Sequence, residues 1–395
     1  MKNNFLFMIQ MIASVVYDNR QVTLPENVDW KLIYTIASRH NIANLIAYAI
    51  EKNKFEIDKE IKALFVKKMH ERVLVSEKQS VEINSILNLF EESGISYMPL
   101  KGVMLREMYP SFDMRFMADA DVLIKIEDFK KANDIMLQSG YEFMGESDHE
   151  YNYIKKPFVH IELHKYLIPS YNEDLYSYFG DGWKLAKKVS NESSRFKLGV
   201  EDDFVYIFAH FAKHYRDAGV GIKQVLDLWL YLKHHNNIDM DYVENILRQL
   251  SIFDFYVHTS KMMKAWFDGG EFDFVTSKMT EFIINSGSFG TSQNSITAKA
   301  IRDYQNKDIK KAQKYRYVRM VFPDLKHMRA LFPILEKAPV LMPVMWMWRL
   351  IRGALFKRKN IDKHIKQADG IDSNEMNSYI NHMESVGLDI YNGRK

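Results

Sequence analysis

Cysteine is missing from this chain altogether: none occurs in 395 residues. That excludes disulfides, thiolate metal centres and cysteine nucleophiles. A surplus of charge of one sign is missing too. Lysine and arginine number 54 against 51 aspartates and glutamates, a formal net charge of +3. Such a balance demands no nucleic-acid partner. The most apolar late stretch, Ala338 to Phe356, is interrupted by Pro339, Pro343, Arg349 and Arg352, so it makes a poor membrane span. Met1 to Val16 is mildly apolar but lacks an extended apolar core followed by a small-residue cleavage site, and does not read as a signal peptide. Internal repeats and long low-complexity segments are absent as well. The expectation is a cytoplasmic protein. What is present is ordinary for a globular chain, 47% apolar and 27% charged, with length enough for two or three domains.

Hydrophobic spacing divides the chain. Residues 1–92 read as a helical region, with apolar residues three and four apart at Trp30–Ala37 and Ala43–Ile50. Residues 59–92 form one long charged amphipathic stretch, with Ile61, Leu64, Phe65, Met69, Val73, Ile83, Ile86, Leu87 and Phe90 on one face, ended by Gly94. Residues 93–199 read as an α/β core. Strands are expected at 95–99, 117–124, 141–146, 151–155 and 158–164, and helices at 102–108 and 127–139. Residues 200–290 read as a helical domain with helices near 204–215, 222–234 and 241–250, the first capped by Asp202. The Gly- and Ser-rich run Ser286–Ser292 marks a boundary. Residues 291–395 then form a C-terminal helical region, basic and rich in Met and Trp over 297–359, with a polar, loosely packed tail. The fold class is α+β, a mixed β-sheet core flanked by N- and C-terminal helical domains.

The most informative residues are Asp119 and Asp121, in Phe116-Met117-Ala118-Asp119-Ala120-Asp121-Val122-Leu123-Ile124. On a strand, residues two apart share a face. Two carboxylates at the mouth of an apolar strand repel unless a cation lies between them. Mg²⁺ favours hard oxygen ligands and combines one or two carboxylates with substrate phosphates. The plain alternative is a solvated strand end. If the pair holds the metal, neutralising Asp121 should abolish turnover and, by relieving repulsion, slightly stabilise the metal-free fold. Upstream, Met98-Pro99-Leu100-Lys101-Gly102 ends a β-prone run and opens a helix-like stretch. A glycine there lets backbone amides approach a phosphate. Downstream, alternation over 158–164 puts His160, Glu162 and His164 on one face, so that Glu162 is a candidate third acid opposite the Asp pair.

Leu100-Lys101-Gly102, Tyr109-Pro110, Arg115 ahead of Asp119-Ala120-Asp121, Ile161-Glu162-Leu163-His164, and His210, His214 and Asp227 occur here in that order. Together they resemble an uncharacterised bacterial nucleotidyltransferase family within the DNA polymerase beta-like superfamily. The resemblance covers most of residues 28–355. It implies a nucleotidyltransferase-type core and transfer of a nucleoside monophosphate from an NTP to an acceptor hydroxyl or phosphate. It further implies Mg²⁺, or Mn²⁺ in its place, held by Asp119, Asp121 and Glu162, which become the catalytic set. Lys101, Gly102, Arg115, His164, His210, His214, Lys223 and Asp227 become candidates for the nucleotide and its phosphates. The family's company near polysaccharide-biosynthesis genes points to a sugar or sugar-phosphate acceptor. A protein hydroxyl, as in toxin-type relatives, and a catalytically degenerate nucleotide-binding or partner-binding member are the alternatives. One departure stands out: Val103 occupies the place where the superfamily often carries a second Gly or a Ser.

Each candidate has a plainer reading. Arg115 can clamp a phosphate bidentately or be a surface charge, and Lys101 can reach a phosphate or be a solvated lysine. His210 and His214 share a helix face with zinc-pair spacing, but no third ligand of clear spacing follows. The expectation is that one faces the nucleotide while the other packs or bonds to Asp227, itself read as orienting a His or Lys. His160 and His164 are expected to line the cleft edge or cap the sheet. The 338–359 segment is a packed helix or a peripheral contact with a partner or lipid surface, helped by Arg349, Arg352, Lys357, Arg358 and Lys359.

Overall fold

A computed structural model describes residues 2–17, 21–147, 149–157, 159–169, 172–303, 334–356 and 373–391, with Phe322, Leu325, Met328 and Phe332. The chain divides into two compact units, Met1–Thr291 with Ser385–Lys395, and Ser292–Glu384.

In the first unit, α1 (Lys2–Val16), α2 (Trp30–Arg39), α3 (Ala43–Asn53) and α4 (Lys59–Glu92) pack through their apolar faces. Asp29 caps α2 by accepting from the Leu32 amide, and Asp58 caps α4 by accepting from the amides of Glu60 and Ile61. α4 is 34 residues long and serves two cores in turn. Its first half buries Phe65 and Met69. Its second half lays Ile83, Ile86, Leu87 and Phe90 on the sheet, while Leu64, expected on the apolar face, is exposed. Ser76 and Gln79 are buried between these halves, where an apolar side chain would be expected. Gly94 then turns the chain with φ +65°.

The sheet has five strands: β1 (Tyr97–Pro99), β2 (Ala120–Ile124), β3 (Glu142–Glu146), β4 (Glu150–Lys155) and β5 (Val159–His164). Their spatial order is β1-β2-β5-β4-β3, and only β2 and β5 run parallel. Ala120, Val122, Ile124, Val159, Ile161 and Leu163 join the core against α4 and α6 (Phe129–Gln138). Period two therefore turns Asp121, Glu162 and His164 to the opposite face.

Most expected elements form with shorter bounds. The strand expected over 117–124 starts at Ala120, because the Met117 carbonyl accepts from Gln79 Nε2 at 3.0 Å instead of joining the ladder. The helix expected over 102–108 is α5 (Gly102–Leu105) followed by a 3₁₀ turn, Arg106–Met108. Phe158, expected to open β5, lies outside the described residues.

A short helix α7 (Glu173–Phe179) and a two-stranded ribbon, β6 (Lys187–Lys188) with β7 (Phe196–Lys197), lead to α8 (Val200–Asp217), α9 (Ile222–His234), α10 (Met240–Gln249), α11 (Phe253–Phe267) and α12 (Phe274–Ser286). Asp202 does not cap α8. That helix begins after Gly199, and Asp202 lies in its first turn, accepting from the hydroxyls of Tyr178 and Tyr242 at 2.7 and 2.9 Å. The tail also differs from expectation. Met376, Tyr379, Met383 and Val386 repeat at three and four, and with Leu388 and Ile390 they are buried along helix Ser373–Ser385 and the turn after it.

In the second unit, α13 (Ser292–Asp303) meets Glu375 through Gln293 and Thr297. Helix Met342–Phe356 leaves Val344, Met347 and Trp348 exposed. The basic residues 357–359, read as helping a peripheral contact, lie outside the described residues. No helix among the described residues is long and apolar enough to cross a membrane.

Phe90 is fully buried between α4 and the sheet, its ring 6.1 Å from that of Tyr97. Phe90→Ala should cost about 3–5 kcal/mol of stability, the range for losing a buried Phe. Urea unfolding checks this, and a loss below about 1 kcal/mol would contradict the described packing of α4 on the sheet.

Candidate functional site

β2 and β5 build the centre of the site. Their parallel register sets Asp121 beside Glu162, while Asp119 lies one residue ahead of β2. Asp119, His160 and Glu162 each bring a ligand atom within 4.8 Å of the others, and so do Asp121, Glu162 and His164. His164 is therefore drawn in among the carboxylates. Its Nε2 lies 2.7 Å from Asp121 Oδ1 and 3.5 Å from Glu162 Oε2. Lys101 Nζ donates to the same Asp121 oxygen at 3.1 Å.

The two aspartates experience opposite fields. Burial, followed by the charges of Asp121 and Glu162, pushes the Asp119 pKa up. Burial also opposes charge on Asp121, but the Lys101 charge and the His164 hydrogen bond outweigh it and hold that carboxyl well below its usual range. His164 answers in kind: burial disfavours its proton, yet hydrogen bonds to Asp121 and Glu162 raise its pKa. Lys101 is likewise held charged, the Asp121 field overcoming its burial. The expectation that Asp121 is the destabilised carboxylate is thus reversed. At Asp119, burial and the two neighbouring acids outweigh the fields of Lys101 and Lys223.

Lys101 reaches Asp121 from a strained turn. Its φ is +41° and its ψ −107°, a conformation that non-glycine residues rarely adopt. The next residue, Gly102, is closely packed by side chains. A Cβ on Gly102 would lie 2.9 Å from Met117 Sδ and 3.1 Å from Arg115 Nη1. The Val103 side chain packs on the helix–sheet core, which accounts for an apolar residue at that place.

Arg115 departs from expectation. It is only 5% exposed, and its guanidinium is used inside the protein. Nε and Nη2 donate to the two Asp227 oxygens at 2.8 and 2.9 Å, and Nη1 donates to the Gly102 carbonyl at 3.2 Å. Tyr109 donates to Asp227 Oδ1 at 2.8 Å. Asp227 thus orients an arginine and a tyrosine rather than a histidine. Spacing could not reveal this pairing, because the partners lie 112 residues apart. Arg106 completes the support: Nη2 donates to Gln79 Oε1 at 2.8 Å and Nε to the Arg115 carbonyl at 3.3 Å. That interaction explains the polar residue buried in α4.

Basic side chains of α8 and α9 lie near the carboxylates. His210 and His214 stand one turn apart on α8 with ring centroids 4.2 Å apart. Burial, then Lys101, pulls the His210 pKa well down. Burial, then Lys213, pulls His214 to about 4. Among the described residues, neither histidine joins a three-ligand group. Lys213, not singled out by sequence reasoning, is lowered by burial and then by Lys101. Its signal was available: it shares an α8 face with the two histidines, three residues after His210. On α9, Lys223 donates to the Phe116 carbonyl at 3.0 Å, and burial, then Arg115, lowers its pKa to about 8. Lys213 and Lys223, with Lys101 beside them, suit a polyanion, while the two histidines are uncharged near neutral pH.

A family model described as an uncharacterised nucleotidyltransferase matches residues 26–268. No curated protein and no solved structure matches the chain.

Two predictions follow the electrostatics. In chelator-treated protein at neutral pH, Asp119→Asn should raise the melting temperature and Asp121→Asn should lower it, since the latter strands Lys101. The Asp119 pKa is raised on folding, so its ionised form costs stability at pH 7 and that cost fades as pH falls through the raised value. The advantage of Asp119→Asn should fade over the same window. Melting curves in which both variants shift the same way would refute the assignment. Arg115→Ala should cost about 3–5 kcal/mol, because it leaves Asp227 buried without its cation. Denaturant titration reads this directly, and an effect under about 1 kcal/mol would show that the pair is not buried as described.

Proposed function

Since the chain belongs to this nucleotidyltransferase family, we propose that it transfers a nucleoside monophosphate from an NTP to an acceptor, with Asp119, Asp121 and Glu162 as its catalytic carboxylates. The observation that carries this reading is the β2–β5 register, which sets Asp121 beside Glu162, with Asp119 also within 4.8 Å of Glu162 by their ligand atoms. The donor set fits a hard divalent ion, since crowding of Asp119 by two like charges is relieved by a cation among them. Asp119, Asp121 and Glu162 would hold Mg²⁺ or Mn²⁺, which when bound supplies charge neutralisation and activation of the acceptor oxygen.

The protein's part is positioning and electrostatics. Lys101, Lys213 and Lys223 neutralise the triphosphate, and His210, uncharged near neutral pH, offers it a hydrogen bond. His164 orients the Asp121 carboxylate through its Nε2 hydrogen bond. Arg115 acts indirectly: with Asp227 and Tyr109 it fixes the Gly102 turn from which Lys101 projects. The acceptor oxygen attacks the α-phosphorus, the bond from that phosphorus to the β-bridging oxygen breaks, and pyrophosphate leaves. A sugar or sugar phosphate is the favoured acceptor. The packing of Val103 into the core favours a second reading, nucleotide binding without turnover, because the turn lacks a second small residue beside a phosphate.

Pyrophosphate release from each NTP, with Mg²⁺ or Mn²⁺ and candidate sugar phosphates, separates the readings. Asp119→Asn and Asp121→Asn should abolish release. NTP binding by wild type with no release under any condition would leave the binding-only reading, and no NTP binding would defeat both. Lys223 supplies a pH test. It binds phosphate only while protonated, so NTP affinity should fall as pH rises through about 8. Lys223→Ala should weaken binding roughly ten- to a hundredfold, as for a lost hydrogen bond of about 1.5–3 kcal/mol to a charged group. It should also erase the alkaline limb. A titration in which the limb persists would remove Lys223 from the phosphate site.

A further inference from the structure

Beyond the three acids, a second set of ligating side chains lies on the same sheet, sharing His164. β4 and β5 pair so that Glu150 is the register partner of His164. His149 immediately precedes Glu150, and its backbone carbonyl accepts from the Lys165 amide at 2.7 Å, which fixes the loop against the end of β5. His149, Glu150 and His164 each offer one ligand atom within 4.8 Å of the others. His149 Nε2 lies 2.9 Å from Glu150 Oε2, and the two imidazole rings are 5.9 Å apart.

The independent observation is a nitrogen. His164 is 3% exposed. Its Nε2 is committed to Asp121, but its Nδ1 is buried with no hydrogen-bond partner. Buried polar atoms are rarely left so, and an unsatisfied one costs roughly 1–3 kcal/mol. A ring nitrogen is also a metal ligand.

We propose that His149, Glu150 and His164, the last through Nδ1, bind a borderline transition-metal ion, Zn²⁺ foremost, at a site separate from the catalytic carboxylates. Two imidazoles and one carboxylate form a donor set suited to zinc, whereas the neighbouring sets Asp119, His160, Glu162 and Asp121, Glu162, His164 are richer in carboxylates and suit a harder ion. The outer partners that such a site needs are in place. Asp121 accepts from the far nitrogen of His164, and Ser147 Oγ lies 3.1 Å from His149 Nδ1. Partners of this kind fix the tautomer and aim the ring. The ion would hold the His164 proton on Nε2, where it is donated to Asp121, and so steady that carboxylate. This site stands whether or not the chain turns over nucleotide.

Zn²⁺ binding to chelator-treated full-length protein, measured calorimetrically in excess Mg²⁺ with Co²⁺ absorbance as a second probe, tests it. Wild type should take up one Zn²⁺. His149→Ala and Glu150→Gln should weaken that uptake by about a hundredfold or more, at least the loss typical of outer-shell partners, while Asp119→Asn leaves it unchanged. Circular dichroism of the metal-free variants establishes folding, and His149→Gln replaces His149→Ala if the latter does not fold. Failure of folded wild type to take up Zn²⁺ overturns the proposal. So does uptake that survives loss of both His149 and Glu150. Uptake lost in Asp119→Asn assigns the ion to the catalytic carboxylates and overturns it equally.

Discussion

The Arg115–Asp227 ion pair is the interaction on which the site depends. Two charges are taken out of water at that point, which is tolerable only with good geometry and with the remaining polar atoms satisfied. The pair meets both conditions. The guanidinium engages both carboxylate oxygens, its third nitrogen holds the Gly102 carbonyl, and Tyr109 shares the carboxylate. Helix α9 is thereby joined to the segment leading into β2 and to the turn after β1. Breaking the pair would remove the Arg115 hold on the Gly102 carbonyl, next to the Lys101 turn.

Two aspartates two residues apart illustrate how environment, not residue type, sets chemistry. Asp121 lies between an ammonium and an imidazole and is kept ionised; Asp119 is pushed toward its proton by burial and then by the charges of Asp121 and Glu162. The asymmetry fits a carboxylate that is a fixed part of the scaffold beside one that gains most from an incoming cation. His164 is the hinge of this arrangement, with one ring nitrogen toward the acids and the other buried without a partner.

Much of this was legible in the sequence because it rests on period. Alternation at Asp119-Ala120-Asp121 and at His160-Ile161-Glu162-Leu163-His164 announced the two strands and their polar face, and spacing at three and four announced α4, α8 and α9. What stayed hidden rests on partners far apart along the chain. Arg115 reads as a phosphate clamp until Asp227 is found to saturate it, and the relief of Asp121 depends on a lysine twenty residues upstream. Gln79 looks out of place on an apolar face until Arg106 reaches it. Lys213 was concealed differently, by lying beside histidines that drew the attention. The tail reads as polar because its apolar residues are sparse, though their spacing is helical.

The parallel register of β2 and β5 also bears on how such a chain can change over generations. Cα partners Asp121 and Glu162 face the cleft only while the two strands keep step, and a slip of one residue exchanges the faces of a strand. A one-residue deletion inside β2 would therefore send a carboxylate into the hydrocarbon interior and bring a valine to the cleft. The same deletion in the connections between strands leaves the step intact. Changes of length are accordingly tolerated best in the loops, whereas inside these two strands substitution preserves the step.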